Sequence, residues 1–550
     1  MDLLGSKAIY RAQCRERMKI LWRQGYDFDK DAWEKELDAL PDSYDAIVAF
    51  AERLYGLPVR KDWPYSEPNL LPEIQAERPE KRQDVILPRC KELELKPATL
   101  KDHVFGGVFG RICGCILGKP FEMNWEKQNI QDYLQAVNAW PLRDYAPHYS
   151  PYSNLANDTD PSCRELLSYA QPDDDITYFA VCLQVLENFG RGFTTDQVAR
   201  TWLHNIPYLE TFGPDHSRYQ LMVNHTMWHD NPAPEDYDRF TSAFNDGEEQ
   251  IDAMIRADAY GLVSPLKPAE AAALAYKDAI LTNRHTGLYA SMWVAACIAA
   301  AFYYRDPVEV IQRGLEQLPA RSRYAEVVRQ ALDISVSAGS WEKAYPEINK
   351  RWGHLRHAGT MNETAAIINA LVNSRDSTGC IDFEKAICTT VMHGWDTDCS
   401  AATCGCIAGV MAGKSGIPEK WTAPLHDTFY TYAALQHDHS ITNFAQRFLE
   451  LAKQKGRTEL FFVEAALLIE GGYRELVDEM WYIYASEDVR RTRLRQTRGY
   501  SDEKITHIMA KQLDEALFRK NCDFVIDNSG ALEDSYRQID KKLEAFTWQE

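Results

Sequence analysis

Two short acidic stretches hold the chemistry this sequence offers. Gly394-Trp395-Asp396-Thr397-Asp398-Cys399-Ser400 places carboxylates at i and i+2, beside a glycine and just ahead of a small-residue run, AATCGCIAGVMAG. That run reads as a closely packed helix, so Asp396 and Asp398 fall at its N-terminal edge. The helix dipole favours acids there, which is reason enough for one such pair. A second cluster asks for more. Asp173, Asp174 and Asp175 precede an apolar helical run, ITYFAVCLQVLENF. Three adjacent like charges repel unless solvent or a cation compensates. Two such clusters in one chain point to shared divalent metal, and hard oxygen ligands suit magnesium or manganese.

A third stretch supplies context. Residues 106–123 read GGVFGRICGCILGKPFEM, with Gly110, Gly114 and Gly118 at spacing four and Glu122 just after them. Glycine costs about 1 kcal/mol per helical position relative to alanine, so a ladder of glycines implies close approach of another helix. Taken with the DDDITYFA run, GWDTDCSAATCGCIAG, DAMIRADAYGLVSP and LTNRHTGLYASMWVAACIAAAF, this resembles the ADP-ribosylglycohydrolase family over about residues 100–440.

The resemblance implies a metal-dependent hydrolase of an ADP-ribose glycosidic bond, with two magnesium or manganese ions. Asp173, Asp174, Asp175, Asp396 and Asp398 match the metal motifs; Asp173 stands where the family commonly has threonine. Glu122, Asp174 and Asp398 form the implied catalytic set, with Glu122 as acid/base or water-orienting group. On sequence alone Glu122 is an exposed loop glutamate. Arg256, Asn283, His285, Thr360 and Asn362 match regions that would contact substrate. Arg256 equally suits a phosphate or a structural salt bridge. Cys399 departs from the threonine or serine common at its position. A thiol is a poor magnesium ligand, so Ser400, a backbone oxygen or water would have to compensate. The implied partner is ADP-ribose or an ADP-ribosylated acceptor. Two rival readings stay open: an N-glycosidase acting on nucleosides or other ribosyl compounds, and a non-catalytic nucleotide sensor.

The bulk composition bounds these readings. The 550 residues carry a net charge of −20 and a sequence pI of about 5.2, which argues against a general nucleic-acid-binding surface. No apolar run reads as long enough to span a membrane, and the first 22 residues lack a signal-peptide pattern. The expectation is a cytoplasmic protein with no membrane partner. There are 13 cysteines and no CxxC. The pairs Cys113/Cys115 and Cys404/Cys406 lie within glycine-rich helical patterns and read as small buried packing residues. His204, His216, His225 and His229 show no zinc spacing. Gly413-Lys414-Ser415 imitates the end of a phosphate loop, but the glycine required five positions earlier is Ala408.

The elements that must position these residues are mostly helical. Ala8–Gln24 and Lys30–Leu40 have helical periodicity, and Asp42-Ser43 caps a further helix ending at Gly56. Residues 57–100 are proline-rich and read as an arm on the main domain or a linker; no chemistry is visible in residues 1–100. Trp33 and Trp63 read as packing. Residues 130–172 are loop-rich, with Asp158 and Asp160 in a solvated segment, and residues 288–302 read as a buried helix. Past residue 455, the stretch from Phe461 to Gly530 resembles the C-terminal half of dephospho-coenzyme A kinase. Its strands are expected near Phe461–Ile469, Met480–Tyr484 and Phe524–Ile526. That kinase's phosphate-binding glycine loop belongs to the other half. The module reads as structural or nucleotide-sensing, with possible self-association to complete its sheet. The expected architecture is therefore mainly α: an N-terminal extension (1–100), an all-helical ADP-ribosylglycohydrolase-like domain (101–450) and a small α/β module (455–550).

Overall fold

The computed structural model describes residues 6–79, 97–122, 125–151, 157–228, 236–355, 357–376, 378–453, 469, 474, 479–510 and 514–545. The chain forms two compact units, Met1–Gly456 and Arg457–Glu550. The first is built from helices, and its described N-terminal segment belongs to the same unit.

The glycine ladder finds its partner within this unit. The helix Pro97–Gly118 lies antiparallel to the helix Thr397–Ala412. A Cβ on Gly106, Gly110, Gly114 or Gly118 would collide with the backbone carbonyl of Gly409, Gly405, Ala401 or Thr397 in turn. Each step of four on one helix matches a step of four on the other, so the two backbones touch with no side-chain layer between them. At the end of the ladder the Thr397 hydroxyl donates to the Gly118 carbonyl at 2.8 Å. This contact pins the segment after Gly118 beside the start of the second helix.

One sequence expectation is corrected here. Thr99–Phe121 is long and apolar enough by composition to cross a membrane, and 94% of its apolar window is buried inside the fold. Its hydrophobicity is that of a core helix. The helix His285–Ala301 is buried along its entire length, as its composition implied.

The N-terminal helices Lys7–Arg23, Lys30–Ala39 and Tyr44–Tyr55 start on Ser6, Asp29 and Ser43, whose side chains accept from the backbone of the first turn. Caps of this kind are each worth about 0.5–2 kcal/mol. The three helices share a small core that includes Met18, Leu37, Ile47 and Phe50 and reaches Phe244 of the main helical array. Trp33 packs edge-on to Phe28 and Phe50, and Trp63 to Tyr65. The described part of the proline-rich segment is an arm on this unit. Ile74 enters the main core, and the Tyr289 hydroxyl donates to the Pro68 carbonyl at 2.5 Å.

In the second unit, strands Trp481–Tyr484 and Phe524–Asp527 pair in parallel, Trp481 opposite Phe524 and Tyr484 opposite Asp527. Helices Glu487–Arg498, Asp502–Met509, Glu515–Asn521 and Leu532–Ala545 accompany them. The strand expected over 461–469 lies, apart from Ile469, outside the described residues.

Candidate metal centre and active site

The first acid cluster is fixed by the glycine helix. Asp173 caps the helix Asp174–Phe189: its Oδ1 accepts from the Asp175 amide at 2.9 Å. Its Oδ2 accepts from Lys119 Nζ at 2.5 Å. Asp175 is fully buried, and its Oδ1 accepts from Arg111 Nη2 at 2.8 Å. Arg111 also pairs with Asp258 and donates to the Asp175 carbonyl. Arg111 and Lys119 stand eight residues apart, and so fall near one face of the same helix and its 3-10 extension. The helix that packs through glycine thus also carries the cations that orient the acids.

The second cluster is placed by a strained turn. Gly394 has φ +82° and Trp395 φ +74°, the latter unusual for a bulky residue. The Trp395 amide donates to the Trp125 carbonyl at 2.9 Å. A Cβ on Gly394 would lie 2.5 Å from that same carbonyl, so only glycine lets the two segments meet. The turn delivers Asp396 and Asp398 to the first turn of the helix that follows. The Asp396 amide donates to Glu363 Oε1 at 3.3 Å.

These elements bring three groups of donors together: Asp173, Asp174, Asp175 and Asp398; Asp175, Asp398 and Cys399; and Glu122, Asp396 and Asp398. Within each group the ligand atoms lie within 4.8 Å of one another. Asp398 belongs to all three.

Electrostatics record the crowding. Asp398 and then burial push the Glu122 carboxyl up to about 10. Burial and the Asp173 charge raise Asp398 to about 6, against Lys119. Asp174, Asp175, Asp396 and Glu363 are all raised well above the ordinary carboxylate range, burial first and neighbouring acids next. Asp173 alone of the set is lowered: burial opposes ionisation, but Lys119 and the Asp175 amide outweigh it.

The donor set suits a cation. Asp175 Oδ2, Asp398 Oδ1 and Glu363 Oε2 are buried oxygens with no hydrogen-bond partner. A buried unpaired carboxylate oxygen is costly, and positive charge is what would satisfy it.

Comparison with known proteins agrees with this geometry. A family model described as ADP-ribosylglycohydrolase matches residues 96–458. The chain belongs to the ADP-ribosylglycohydrolase family. A second model, dephospho-CoA kinase, matches residues 439–534. The dephospho-CoA kinase of Streptococcus mutans is 36% identical over 91 residues, covering 16% of this chain and 46% of the relative. That of Aquifex aeolicus is 35% identical over 98 residues, covering 18% and 50%. The chain thus spans about half the length of these curated relatives. A solved chain described as an ADP-ribosylglycohydrolase-related protein complex is 18% identical, with a TM-score of 0.39, covering 64% of this chain and 99% of that one.

Several residues expected to contact substrate make structural contacts in this chain. Arg256 is fully buried, paired with Asp278 and Asp215 and bonded to the Thr282 hydroxyl at 2.6 Å. Of its two open readings, phosphate contact and structural salt bridge, the second is the one present, and no face of the guanidinium reaches solvent. Asn283 is buried and donates to the carbonyls of Glu248 and Gln250, which corrects its substrate role to bracing that loop. His285 opens a buried helix whose N-cap is Arg284: its amide donates to Asn69 Oδ1 at 2.9 Å, and its Nδ1 sits 3.1 Å from the Glu67 carbonyl. Ser400, considered as a replacement ligand, donates instead to the Asp396 carbonyl at 2.9 Å. Thr360 lines a cavity of about 690 Å³. Asn362 is buried beside the acids and donates to Glu363 Oε1 at 2.9 Å.

The remaining motifs resolve simply. Cys113, Cys115, Cys404 and Cys406 are buried thiols. In the phosphate-loop imitation, the Ser415 amide and hydroxyl both donate to Asp102, at 2.9 and 2.8 Å. The side chains of Asp158, Asp160, His225 and His229 lie outside the described ones.

Sequence reasoning missed Glu363, Lys119 and Arg111. Glu363 had a visible signal, a lone acid opening an otherwise small and apolar run, ETAAIINALV. Lys119 and Arg111 had none beyond their place on the glycine helix. It also found no chemistry in the N-terminal extension, yet Lys19, Trp22 and Arg23 of the first helix line the same cavity as Thr360 and Gln250.

Proposed function

We propose that this protein is a metal-dependent hydrolase that cleaves the glycosidic bond joining ADP-ribose to an acceptor, a protein side chain or a small molecule. One observation carries the reading: carboxylates from three distant segments converge on Asp398 while Asp175 Oδ2, Asp398 Oδ1 and Glu363 Oε2 stay buried and unpaired. Asp173, Asp174, Asp175, Asp396 and Asp398 would hold two divalent ions, magnesium or manganese. When bound, such ions supply Lewis-acid stabilisation and orient the ribose oxygens.

The protein's own groups do the rest. Lys119 and Arg111 hold Asp173 and Asp175 in fixed rotamers. Glu363 anchors the Asp396 amide. Glu122 is half-buried and sits within 4.8 Å of Asp396 and Asp398 in its donor group. A carboxyl placed beside the acids that would hold the ions is positioned to act as acid or base on the leaving group or the attacking water. Cleavage of a glycosidic bond needs such a group, together with fixed negative charge facing an oxocarbenium-like carbon. A cavity of about 690 Å³, lined in part by Gly359, Thr360 and Met361 at the start of the helix that carries Glu363, is in the range of small-molecule sites. The C-terminal module serves in this reading as a structural or nucleotide-sensing attachment capable of self-association.

The test is calorimetric titration of ADP-ribose with magnesium and again with EDTA, followed by turnover of ADP-ribosylated acceptors. Magnesium-dependent binding that disappears in Asp396→Ala, with turnover lost in Asp398→Asn, is expected. Full turnover by Asp398→Asn would overturn the proposal.

A further inference from the structure

We propose that Cys399 supplies a thiolate ligand to the cation held by Asp175 and Asp398, so that this position takes a thiophilic divalent ion of the zinc or cobalt kind ahead of magnesium. The inference rests on the reading above that the acids hold two divalent ions, and replaces magnesium or manganese by a softer ion at one of the two positions.

Three observations carry it. The Cys399 sulfur and oxygens of Asp175 and Asp398 lie within 4.8 Å of one another. Zinc binds sulfur at about 2.3 Å and carboxylate oxygen at about 2.0–2.2 Å, so two donors on one ion stand at most about 4.5 Å apart. The trio closes on one ion with only a small adjustment. Secondly, Asp175 Oδ2 and Asp398 Oδ1 are buried and have no hydrogen-bond partner, while Cys399 Sγ lies 4.0 Å from the other Asp398 oxygen. Thirdly, the hydroxyl that could have replaced the thiol is already engaged, since Ser400 donates to its own helix at the Asp396 carbonyl and interacts with the Glu363 carboxyl.

The centre is therefore asymmetric. The Glu122, Asp396 and Asp398 group offers only oxygen, which suits a hard ion that keeps its waters. The Asp175, Asp398 and Cys399 group offers mixed oxygen and sulfur, which suits a borderline-soft ion and penalises magnesium. Asp398 is common to both. Among the described cysteines, Cys115 also touches the cluster through a hydrogen bond to Asp173, but it belongs to none of the donor groups. It is the natural control.

The experiment uses the full chain, stripped with chelator and titrated with cobalt(II) while its near-ultraviolet absorption is followed. A sulfur-to-cobalt charge-transfer band is expected in the unmutated protein and in Cys115→Ala, and its loss in Cys399→Ser. Cobalt and zinc affinity should fall by on the order of tenfold or more in Cys399→Ser, with magnesium affinity changing less. X-ray absorption at the zinc edge of the unmutated protein should show one sulfur in the inner shell, a readout that survives even if the variant fails to fold. Cobalt bound without the band, or a band that persists in Cys399→Ser, would overturn the thiolate assignment and leave the metal reading standing. No divalent ion bound at all would sink both.

Discussion

Glu363 Oε1 accepts the Asp396 amide at 3.3 Å while its Oε2 stays buried without a partner. One oxygen fixes the start of the acid-bearing helix, and the other adds negative charge to the centre. Glu363→Gln separates the two roles, because the amide side chain keeps a carbonyl for Asp396 and loses the charge. The expected outcome is an unchanged melting temperature with divalent-ion affinity lowered by about 10–100-fold, read by calorimetry. Unchanged affinity would confine Glu363 to anchoring the helix.

The glycine ladder makes a prediction with an internal control. A methyl group at Gly114 would meet the Ala401 carbonyl and the backbone behind it, neither of which can swing aside. Gly114→Ala should therefore destabilise the first unit by about 1–3 kcal/mol or more, the range of overpacked cores. Gly192 has nothing within 4 Å of where its Cβ would sit. Gly192→Ala should stay within about 0.5 kcal/mol. Denaturant midpoints of the two variants decide it; equal midpoints would mean that the helices do not touch at the ladder.

The N-terminal extension is held by a buried ion pair between Arg17 and Glu248, whose Oε1 also accepts from Gln24 Nε2 at 2.7 Å. Arg284 reaches the same carboxylate at 3.6 Å. Arg17→Met removes one cation and leaves Glu248 short of charge in the interior. Breaking such a pair costs about 3–5 kcal/mol. The first helix also walls the cavity, so limited proteolysis should cut near Lys7–Arg23 sooner in the variant, and ADP-ribose should bind more weakly. A melting temperature equal to that of the parent would show that other contacts hold the helix.

Much of this was legible in the residues themselves. Spacing of four in Gly110, Gly114 and Gly118 announced a close helix contact, and the small residues after Asp398 announced a closely packed helix, because both are local patterns; that each is the other's partner came from the fold. The two aspartate clusters were legible for the same reason. The structural contacts of Asn283 and His285 were not legible, and Arg256 left both its readings open, because a polar residue in an apolar run can satisfy a buried carbonyl or carboxylate as readily as a ligand, and only the fold says which. Arg111 and Lys119 were invisible because their acid partners lie more than fifty residues away, at Asp175 and Asp173. Trp22 and Arg23 were invisible as cavity residues because nothing in a helix's own periodicity names the surface it will face.

The acid centre also predicts how metal and pH act together on stability. Without cations, Asp398 is raised to about 6 from an ordinary 3.8. The folded protein then binds more protons than the unfolded chain between those values, so this group lowers stability as pH rises through that window. Glu122, raised to about 10 from 4.5, extends the same loss across neutral pH. Two groups outside the centre, His285 and Glu248, pull the other way. Burial and Arg284 lower His285 to about 4 from 6.5, so the unfolded chain binds the extra proton there and stability is lost as pH falls. Glu248, brought down to about 2 from 4.5 by Arg17 and Arg284 against its burial, loses its contribution as pH falls from 4.5. These outer groups act equally with and without metal, so the difference isolates the centre. The rise in melting temperature on adding magnesium or zinc should be small near pH 4, where the acids keep their protons, and should grow steadily towards pH 8. A metal-induced rise that does not change with pH would mean that the ions bind away from Asp398 and Glu122.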